Sequence, residues 1–366
     1  MQTRAAILWK QQEPLSIEEV ELAPPGPGEV LVEVKAAGVC HSDLHPACGD
    51  WPTRTPLVLG HEGSGIVRET GPGVTRVAVG DHVVFCWAPA CGKCPSCLAG
   101  RPVLCDRLDR TTYRNRLPSG ETRLRARGQA VGSFLSTGCF AAHTVVAEEG
   151  AVPVSREVGF DALAALGCAV LTGVGAVLNA ARVPPGASVA VIGAGGVGLN
   201  VLQGAAMAGC TCIIAVDRSA SALRFAAMFG ATHCLEATVD SPSAIRDLTG
   251  GRGVDYVFDT VGVPGTLPQA IASACKGGTI VLSGLSRLNA QASIAMYPFV
   301  MQEKHLIGSL YGSGHPVRDI PRLVALHLEG KLKLTELVAR TYALDDINEA
   351  LAALAGSEGA RGVVRL

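Results

Sequence analysis

The sequence predicts an α/β protein of two domains, in which an irregular, mostly β domain accompanies a doubly wound parallel sheet. Three observations support this fold class. The chain has 366 residues, more than a single domain usually contains. Its first 150 residues read as short strands interrupted by turns, and after about residue 170 apolar strands alternate with helical stretches. Hydrophobic residues make up 48% and charged residues 17% of the sequence, which is enough apolar surface for a buried core.

The amino-terminal region carries the patterns of an irregular β domain. Residues 31–35 alternate apolar and polar side chains with the period of two that is typical of a half-buried strand. The proline and glycine cluster at 24–28 precedes them as a turn. Residues 77–85 read as another strand and turn, around Gly80 and Asp81. This region is therefore predicted to be mostly β.

The central region has the alternation of strands and helices that is typical of βαβ units. An apolar strand, a helix, a second strand and a second helix follow one another, and two later apolar stretches read as strands of the same sheet. The predicted strands are residues 188–192, 211–216, 254–259 and 279–282, and the predicted helices are residues 196–208 and 220–229. From about residue 313 the chain becomes helical and mixed, with predicted helices at residues 319–328 and 344–354.

Charge patterning excludes several classes of partner. A formal net charge of −1 creates no global field that would attract nucleic acid or an anionic membrane. Between residues 101 and 127 eight arginines stand against Asp106, Asp109 and Glu121. We interpret this basic stretch as a solvated surface loop in preference to an anion site. No nucleic-acid partner is expected.

The apolar stretches predict neither secretion nor membrane insertion. Only five apolar residues lie between Arg4 and Lys10, which is too few for the core of a signal peptide. Residues 162–181 carry no charge, but half of them are alanine or glycine, which suits close-packed buried helices better than contact with lipid. We expect a cytoplasmic protein without a membrane partner.

The cysteines point to metal binding or packing, because thirteen of them occur in a chain that is expected in a reducing compartment. The densest group has four cysteines separated by two, two and seven residues, namely Cys91, Cys94, Cys97 and Cys105. Four thiolates at this spacing can wrap one tetrahedral zinc ion. An iron–sulfur cluster is the alternative, although a single lobe without a further Cys-Pro run favours zinc. With sulfur at all four positions, the predicted site is closed and structural.

A glycine-rich turn between the first strand and helix of the central region indicates a dinucleotide site. Its residues are Gly193, Gly195, Gly196, Val197 and Gly198. Asp217 stands at the end of the next strand, nineteen residues after Gly198, where its carboxylate can accept from both ribose hydroxyls. The same carboxylate repels a 2′-phosphate, so NAD is favoured over NADP. Arg218 stands beside it, so NADP stays an alternative cofactor.

Three further groups carry chemistry only if a second metal site exists. They are Cys40 with His41, Ser42, Asp43 and His45; His61 with Glu62; and Cys168. Taken singly, each is most simply a buried cysteine or a satisfied histidine. Two cysteines and one histidine would make a catalytic zinc site with one open position, but spacing alone does not join these groups.

Several motifs occur in the order of a known family. They are the run at 38–43, the run at 60–65 with Gly71 and Val74 after it, the four-cysteine lobe, Cys168 and the glycine-rich turn. Over essentially its whole length the sequence resembles the zinc-containing medium-chain alcohol dehydrogenase family. The resemblance implies a GroES-like catalytic domain of residues 1–169 and 313–366, and a Rossmann NAD-binding domain of residues 170–312. It also implies two zinc ions per chain, one catalytic and one structural.

The resemblance assigns roles to the candidate site residues. It implies that Cys40, His61 and Cys168 bind the catalytic zinc and that Cys91, Cys94, Cys97 and Cys105 bind the structural one. Glu62 then lies behind the metal as a neighbouring or transient ligand, Asp43 orients His61, and Ser42 and His45 form a proton relay. His41 and Arg361 match positions that contact the cofactor pyrophosphate. The matching substrate positions are Trp51, Trp87, Phe134, Leu135 and Leu285, which describe an apolar pocket for medium-chain or aromatic alcohols.

The implied activity is reversible hydride transfer between a primary or secondary alcohol and NAD, giving an aldehyde or ketone. The alternative is a thiol-dependent formaldehyde dehydrogenase of glutathione or mycothiol type. Residues 110–134 contain the long insertion of that branch and of the animal-type enzymes, so a homodimer is expected. Two departures count against that branch, which has no histidine at the position of His45 and has an arginine at the position of Asp109. A non-catalytic nucleotide-binding relative is a third interpretation, but the catalytic ligands that it would lose are all present.

Overall fold

The computed structural model describes residues 1–355 and 360–366. The strands are β1 (Gln2–Leu8), β2 (Ser16–Leu22), β3 (Glu29–Gly38), β4 (Leu57–Val58), β5 (Glu62–Thr70), β6 (His82–Phe85), β7 (Leu124–Ala126), β8 (Gln129–Ser133), β9 (His143–Ala147), β10 (Ala151–Pro153), β11 (Ser188–Ile192), β12 (Cys212–Asp217), β13 (His233–Glu236), β14 (Val254–Asp259), β15 (Ala274–Leu282), β16 (His305–Gly308), β17 (Val338–Ala343) and β18 (Arg361–Arg365). The α-helices are α1 (His41–Cys48), α2 (Pro95–Leu98), α3 (Phe160–Ala164), α4 (Ala169–Gly175), α5 (Gly196–Met207), α6 (Ala220–Met228), α7 (Ser241–Leu248), α8 (Thr266–Ser273), α9 (Met296–Met301), α10 (Pro316–Leu328) and α11 (Ile347–Ala355).

The described residues divide into two compact units. The first contains Met1–Cys168 together with residues 315–355 and Arg361–Leu366, and the second contains Ala169–Gly314. The first unit is built mainly of β-strands and the second of alternating strands and helices.

The first unit combines a small closed barrel with a larger sheet. The barrel runs in the order β1-β2-β7-β8-β4, and the sheet in the order β10-β6-β5-β3-β18-β17 with β9 also paired to β3. Alternate residues Val30, Val32 and Val34 of β3 are buried and pack with Val67 and Phe85 in one core cluster. The predicted strand at 31–35 lies inside β3, and the prediction of an irregular β domain is confirmed.

The second unit is a six-stranded parallel sheet in the order β13-β12-β11-β14-β15-β16. Numbered within the unit, this order is 3-2-1-4-5-6, the arrangement of doubly wound dinucleotide-binding sheets. Buried apolar residues fill the strand interiors, including Ile214, Val257 and Ile280. The predicted parallel sheet is therefore confirmed.

Some element boundaries differ from the predictions. The predicted helix 319–328 begins earlier, at Pro316, because proline is accepted in the first turn of a helix. Residues 344–346 of the predicted helix 344–354 form a 3₁₀ turn before α11. The short strands β13 and β16 were not predicted, since only one or two of their four residues are even partly buried and their apolar signal is weak.

The apolar stretch at 162–181 folds into short helical segments. Residues 169–177 are buried without exception. Within the described residues, no single helix is long and apolar enough to cross a membrane. One bent pair, Phe160–Gly167 with Ala169–Ala181, passes such a test jointly by length and composition.

Candidate active site

The first unit brings together the three groups that sequence spacing left separate. Donor atoms of Cys40, His61, Glu62 and Cys168 all lie within 4.8 Å of one another, and all four residues are buried. The His61 Nε2 atom lies 3.3 Å from the Cys168 sulfur. Two thiols, one imidazole and one carboxylate make a donor set that fits a divalent zinc ion.

Strand register explains how these distant residues meet. Strands β3 and β5 are antiparallel, and Gly38 at the end of β3 pairs with Glu62 at the start of β5. Cys40 follows β3 as the residue before α1, while His61 directly precedes β5. Cys168 follows a 3₁₀ turn at 165–167 that returns the chain to the same place. The site therefore depends on sheet pairing and not on a local motif.

Asp43 holds the imidazole of His61 in position. Its carboxylate accepts from His61 Nδ1 at 2.9 Å, from the Gly60 amide at 3.0 Å and from the Cys40 amide at 3.3 Å. Because Nδ1 donates to Asp43, Nε2 is the nitrogen left for a metal. Burial raises the pKa of the Asp43 carboxyl, while the His61 and Gly60 contacts lower it.

Gly60 requires its lack of a side chain. Its φ of +90° lies in the left-handed region, and a Cβ there would come within 2.7 Å of the Phe140 amide nitrogen. Its carbonyl accepts from the Cys139 amide at 3.0 Å and from the Thr137 hydroxyl at 2.9 Å. The backbone that leads into His61 is thus fixed on both sides.

Glu62, one of the four clustered donors, forms a buried pair with Arg361, a contact that the sequence did not predict. Arg361 Nη2 donates to Glu62 Oε1 at 2.7 Å and to the Cys40 sulfur at 3.2 Å. Among the described residues Glu62 Oε2 has no hydrogen-bond partner, and burial raises the pKa of Glu62 to about 8. An orphaned buried acceptor within the cluster is the arrangement that a cation would satisfy. Contact between Arg361 and a pyrophosphate stays a prediction.

Ser42 and His45 share α1 with Asp43. His45 Nδ1 lies 3.1 Å from Asp50 Oδ2, and its ring stacks on Trp51 with centroids 4.4 Å apart. Asp50 thus orients the imidazole and leaves Nε2 as its other nitrogen. His41 is exposed at the start of the helix. The relay stays a prediction, and Asp50 is the carboxylate that the structure pairs with His45.

The four-cysteine lobe is a second donor cluster. The sulfurs of Cys91, Cys94, Cys97 and Cys105 lie within 4.8 Å of one another. The Cys91 amide donates to the Cys105 sulfur at 3.2 Å, and Cys94 precedes the short helix α2. Backbone donors, led by the Lys93 amide, lower the pKa of the Cys91 thiol to about 6, which favours the thiolate that zinc binds.

The glycine-rich turn of the second unit lies between β11 and α5. Gly195 precedes α5 without a side-chain cap, and a Cβ on it would meet nothing within 4 Å. A Cβ on Gly198 would lie 1.8 Å from the Gly193 carbonyl, so only glycine fits there. The turn thus offers helix amide groups and room for close approach, as a pyrophosphate requires.

Asp217 ends β12 beside this turn. Its Oδ2 accepts from the Ala194 amide at 2.7 Å and its Oδ1 accepts from the Ser219 amide at 2.8 Å. Each oxygen keeps a further lone pair for a ribose hydroxyl. Arg218 is exposed next to it, and Gly196 and Val197 begin α5.

The predicted substrate positions are partly gathered near the buried donors. The Phe134 ring meets the His61 ring edge to face, with centroids 5.7 Å apart. Trp51 and Leu135 pack against the same core cluster as Phe134, and Trp87 is buried. Leu285 belongs to the second unit and is half exposed. Their contact with a substrate stays a prediction.

The arginines between 101 and 127 are largely engaged by their own surroundings. Arg123 binds buried Glu29 at 2.7 Å, Arg127 binds Glu18 at 2.6 Å and Arg107 binds Glu149 at 3.1 Å. This pairing supports a structural interpretation of the loop over an anion site.

Comparisons with known proteins agree with this geometry. An "Alcohol dehydrogenase GroES-like domain" model matches residues 26–156, and a "Zinc-binding dehydrogenase" model matches residues 196–329. The chain is 39% identical to putative alcohol dehydrogenase D of Mycobacterium tuberculosis, covering 100% of both chains. It is 37% identical to an S-(hydroxymethyl)glutathione dehydrogenase of Synechocystis, again over 100% of both.

A solved structure agrees over the whole chain. Benzyl alcohol dehydrogenase from Acinetobacter calcoaceticus superposes with a TM-score of 0.94 and 34% identity, covering 100% of this chain and 99% of that one. The chain therefore belongs to the zinc-containing medium-chain alcohol dehydrogenase family and is an NAD-dependent oxidoreductase.

Proposed function

We propose that the chain oxidises primary or secondary alcohols of medium-chain or aromatic type with NAD, reversibly, using one catalytic and one structural zinc ion. The buried cluster of Cys40, His61, Glu62 and Cys168 carries this proposal, because it combines zinc donors with an adjacent helix that bears Ser42 and His45. Apolar Phe134 beside His61, and the relative named for benzyl alcohol, support an apolar substrate.

The residues around the cluster have separate roles in the proposed reaction. When bound, zinc acts as a Lewis acid that lowers the pKa of an alcohol, and NAD accepts the hydride. Asp43 orients His61, and the Arg361 cation offsets the negative charge of Glu62 and of the Cys40 sulfur. Ser42 would accept the substrate proton at its hydroxyl, and His45, held by Asp50, would release a proton to solvent.

A panel of alcohols tests the substrate class. With free alcohols and no added thiol, we expect NADH absorbance to appear fastest with benzyl and medium-chain alcohols, and metal analysis to give two zinc ions per chain. A requirement for glutathione or mycothiol would favour the thiol-dependent alternative, which the Synechocystis relative supports. Asp109, in place of that branch's arginine, argues against it. Turnover of formaldehyde only with thiol present would contradict the proposal.

The cofactor preference depends on Asp217. We expect Asp217→Gly to raise the ratio of NADP to NAD catalytic efficiency, because it removes both a charge that repels the 2′-phosphate and the acceptor for the NAD ribose. The loss for NAD should be about 2 to 5 kcal/mol, from two hydrogen bonds to a charged group. Thermal unfolding is the control, since Asp217 also binds the Ala194 and Ser219 amides. An unchanged ratio of NADP to NAD catalytic efficiency would show that Asp217 does not bind the ribose.

The relay makes a separate prediction. We expect His45→Gln to slow alcohol oxidation most at low pH, by about 10²-fold, because a base is needed where hydroxide is scarce and solvent can bypass a relay near the surface. Zinc content and NADH affinity should not change. If His45 only packs on Trp51 and pairs with Asp50, the variant loses stability and its rate falls equally at every pH. A pH profile with the shape of the parent's would refute the relay.

A second copy of the chain is the proposed partner. In the second unit Leu285, Leu288, Met296, Tyr297, Val300 and Met301 are exposed by 51% to 79%. They precede β16, which ends the order of the sheet and leaves one of its sides without a strand among the described residues. Several exposed apolar side chains in a segment that leads into an edge strand favour a homodimer. Sedimentation equilibrium should give twice the 37.7 kDa chain mass, and a monomer would contradict this proposal.

We also propose a cytoplasmic location. All thirteen cysteines lie in the described part of the chain as free thiols, and two of their clusters are arranged for metal. This usage is typical of a reducing compartment. Cell fractionation tests the location directly.

A further inference from the structure

Residues 134–136 form a strained turn beside the zinc donor His61. Leu135 and Ser136 have φ values of +49° and +61°, so two consecutive residues with side chains occupy the left-handed region. Such a conformation persists only where surrounding contacts impose it. The turn begins at Phe134, whose ring meets the His61 ring edge to face. Strain is therefore stored at a position that adjoins the catalytic donors.

The insertion at 110–134 supplies the contacts that hold this turn. The Ser136 hydroxyl donates to the Arg116 carbonyl at 2.6 Å and shares a hydrogen bond with the buried Thr112 hydroxyl at 3.1 Å. The Leu135 amide donates to Asn115 Oδ1 at 3.2 Å. Both strained residues are thus bound by polar groups of the inserted segment.

Asn115 joins this turn to a second segment. Its side-chain nitrogen donates to the hydroxyl of Thr53 at 2.9 Å. Thr53 follows Trp51 by two residues. Asn115 is only 8% exposed and is itself left-handed, at φ +58°. One amide group therefore clamps the segment that carries Leu135 to the segment that carries Trp51.

The two clamped segments lie on the two histidines of the site. Trp51 stacks on His45, and Phe134, next to Leu135, contacts His61. Neither Asn115 nor Thr53 belongs to the donor cluster. Movement of the clamp would consequently shift apolar side chains near the reacting centre without removing a metal donor or the relay.

We infer that Asn115 is a positioning residue that sets alcohol selectivity by fixing Trp51 and Leu135 relative to each other. This inference rests on the proposed function and on the predicted contact of these two side chains with the substrate. It gives the insertion a mechanical role, which agrees with the local pairing of its arginines.

Asn115→Gly is the informative variant, because glycine accepts the left-handed backbone without strain while both amide contacts disappear. We expect KM for benzyl alcohol to rise about 10-fold with kcat changed by less than about 3-fold, so that the benzyl-to-ethanol ratio of kcat/KM falls about 5-fold or more. Hydrogen exchange at the Leu135 amide should accelerate, since its acceptor is gone. Zinc content and NADH affinity should match those of the parent.

Two further variants separate positioning from general stability. Asn115→Asp keeps the acceptor for Leu135, and the Thr53 hydroxyl can donate to the new carboxylate, so most of the parent's selectivity should return. Arg127→Gly replaces another left-handed residue of the same insertion, at φ +49°, whose contacts are Glu18 and Trp9. It should keep the parent's benzyl-to-ethanol ratio.

The outcomes distinguish this inference from the proposed function. A parent that oxidises both alcohols and an Asn115→Gly variant that keeps the ratio, with any change confined to Tm, would overturn the inference alone. Unchanged exchange at the Leu135 amide would overturn it as well. A parent that oxidises neither alcohol would contradict the proposed function and the inference together.

Discussion

We expect the His61→Ala variant to lose alcohol turnover by at least about 10³-fold while it still binds NADH. Lewis-acid stabilisation by a metal contributes several kcal/mol to a transition state, and each 1.4 kcal/mol corresponds to a factor of about ten in rate. His61 Nε2 lies 3.3 Å from the Cys168 sulfur inside the donor cluster, so its removal takes away a predicted ligand. The glycine-rich turn belongs to the second unit, which explains why NADH affinity should survive.

The controls for this variant separate catalysis from folding. His61→Ala also leaves the buried Asp43 carboxylate without its imidazole donor, and some stability is lost for that reason. Cys40→Ser removes a different predicted ligand and should give the same loss of turnover. His143→Ala changes a histidine of the same unit that contacts Thr3 and should keep the parent's activity. Appreciable turnover in His61→Ala with both zinc ions retained would refute the metal assignment.

The second large effect concerns stability. We expect Cys94→Ser to lower Tm by roughly 10 °C or more and to reduce soluble yield, because structural zinc contributes its binding free energy directly to folding. The four sulfurs lie within 4.8 Å of one another. Between Cys91 and Cys105, a segment that the structure describes in full, the only regular secondary structure is short helical turns. Thermal unfolding followed by circular dichroism measures the change. Chelation of the parent should lower Tm in the same direction.

An exposed cysteine provides the matched control for the lobe. Cys48→Ser replaces a thiol of the same unit that lies outside both donor clusters, so its Tm should stay within about 1 °C of the parent's. Equal Tm values for Cys94→Ser and Cys48→Ser, or one zinc ion per chain in the parent, would contradict a structural site at the lobe.

Local patterns made two of the sites predictable. Cys91, Cys94 and Cys97 are neighbours in sequence, so their spacing alone indicated a metal lobe. Gly193 to Gly198 lie on one turn, and the spacing of these glycines indicated a dinucleotide site from the sequence alone. The structure shows the physical need for glycine there. The parallel sheet followed from apolar strands alternating with helices, although β13 and β16 were too exposed to be recognised.

The buried cluster of Cys40, His61, Glu62 and Cys168 was not predictable in this way. Cys40, His61 and Cys168 meet because Gly38 pairs with Glu62 and a turn returns Cys168 to the sheet, and neither event leaves a local pattern. The family resemblance alone suggested the grouping. The contacts of Arg361 with Glu62 and of Asn115 with Leu135 join distant or unpatterned residues, so they appeared only with the folded chain.

The buried pair of Arg361 and Glu62 has a consequence for biosynthesis. The two residues are separated by 299 positions, and β18, which carries Arg361, pairs with β3. At a translation rate of 5–20 residues per second, Arg361 is synthesised about 15 to 60 s after Glu62. Because an unpaired carboxylate is costly to bury, we expect the interior of this site to close only after Arg361 has been synthesised. Synthesis of β18, and not the rate at which β3 and β5 pair, would then set the time at which the chain closes around the donor cluster.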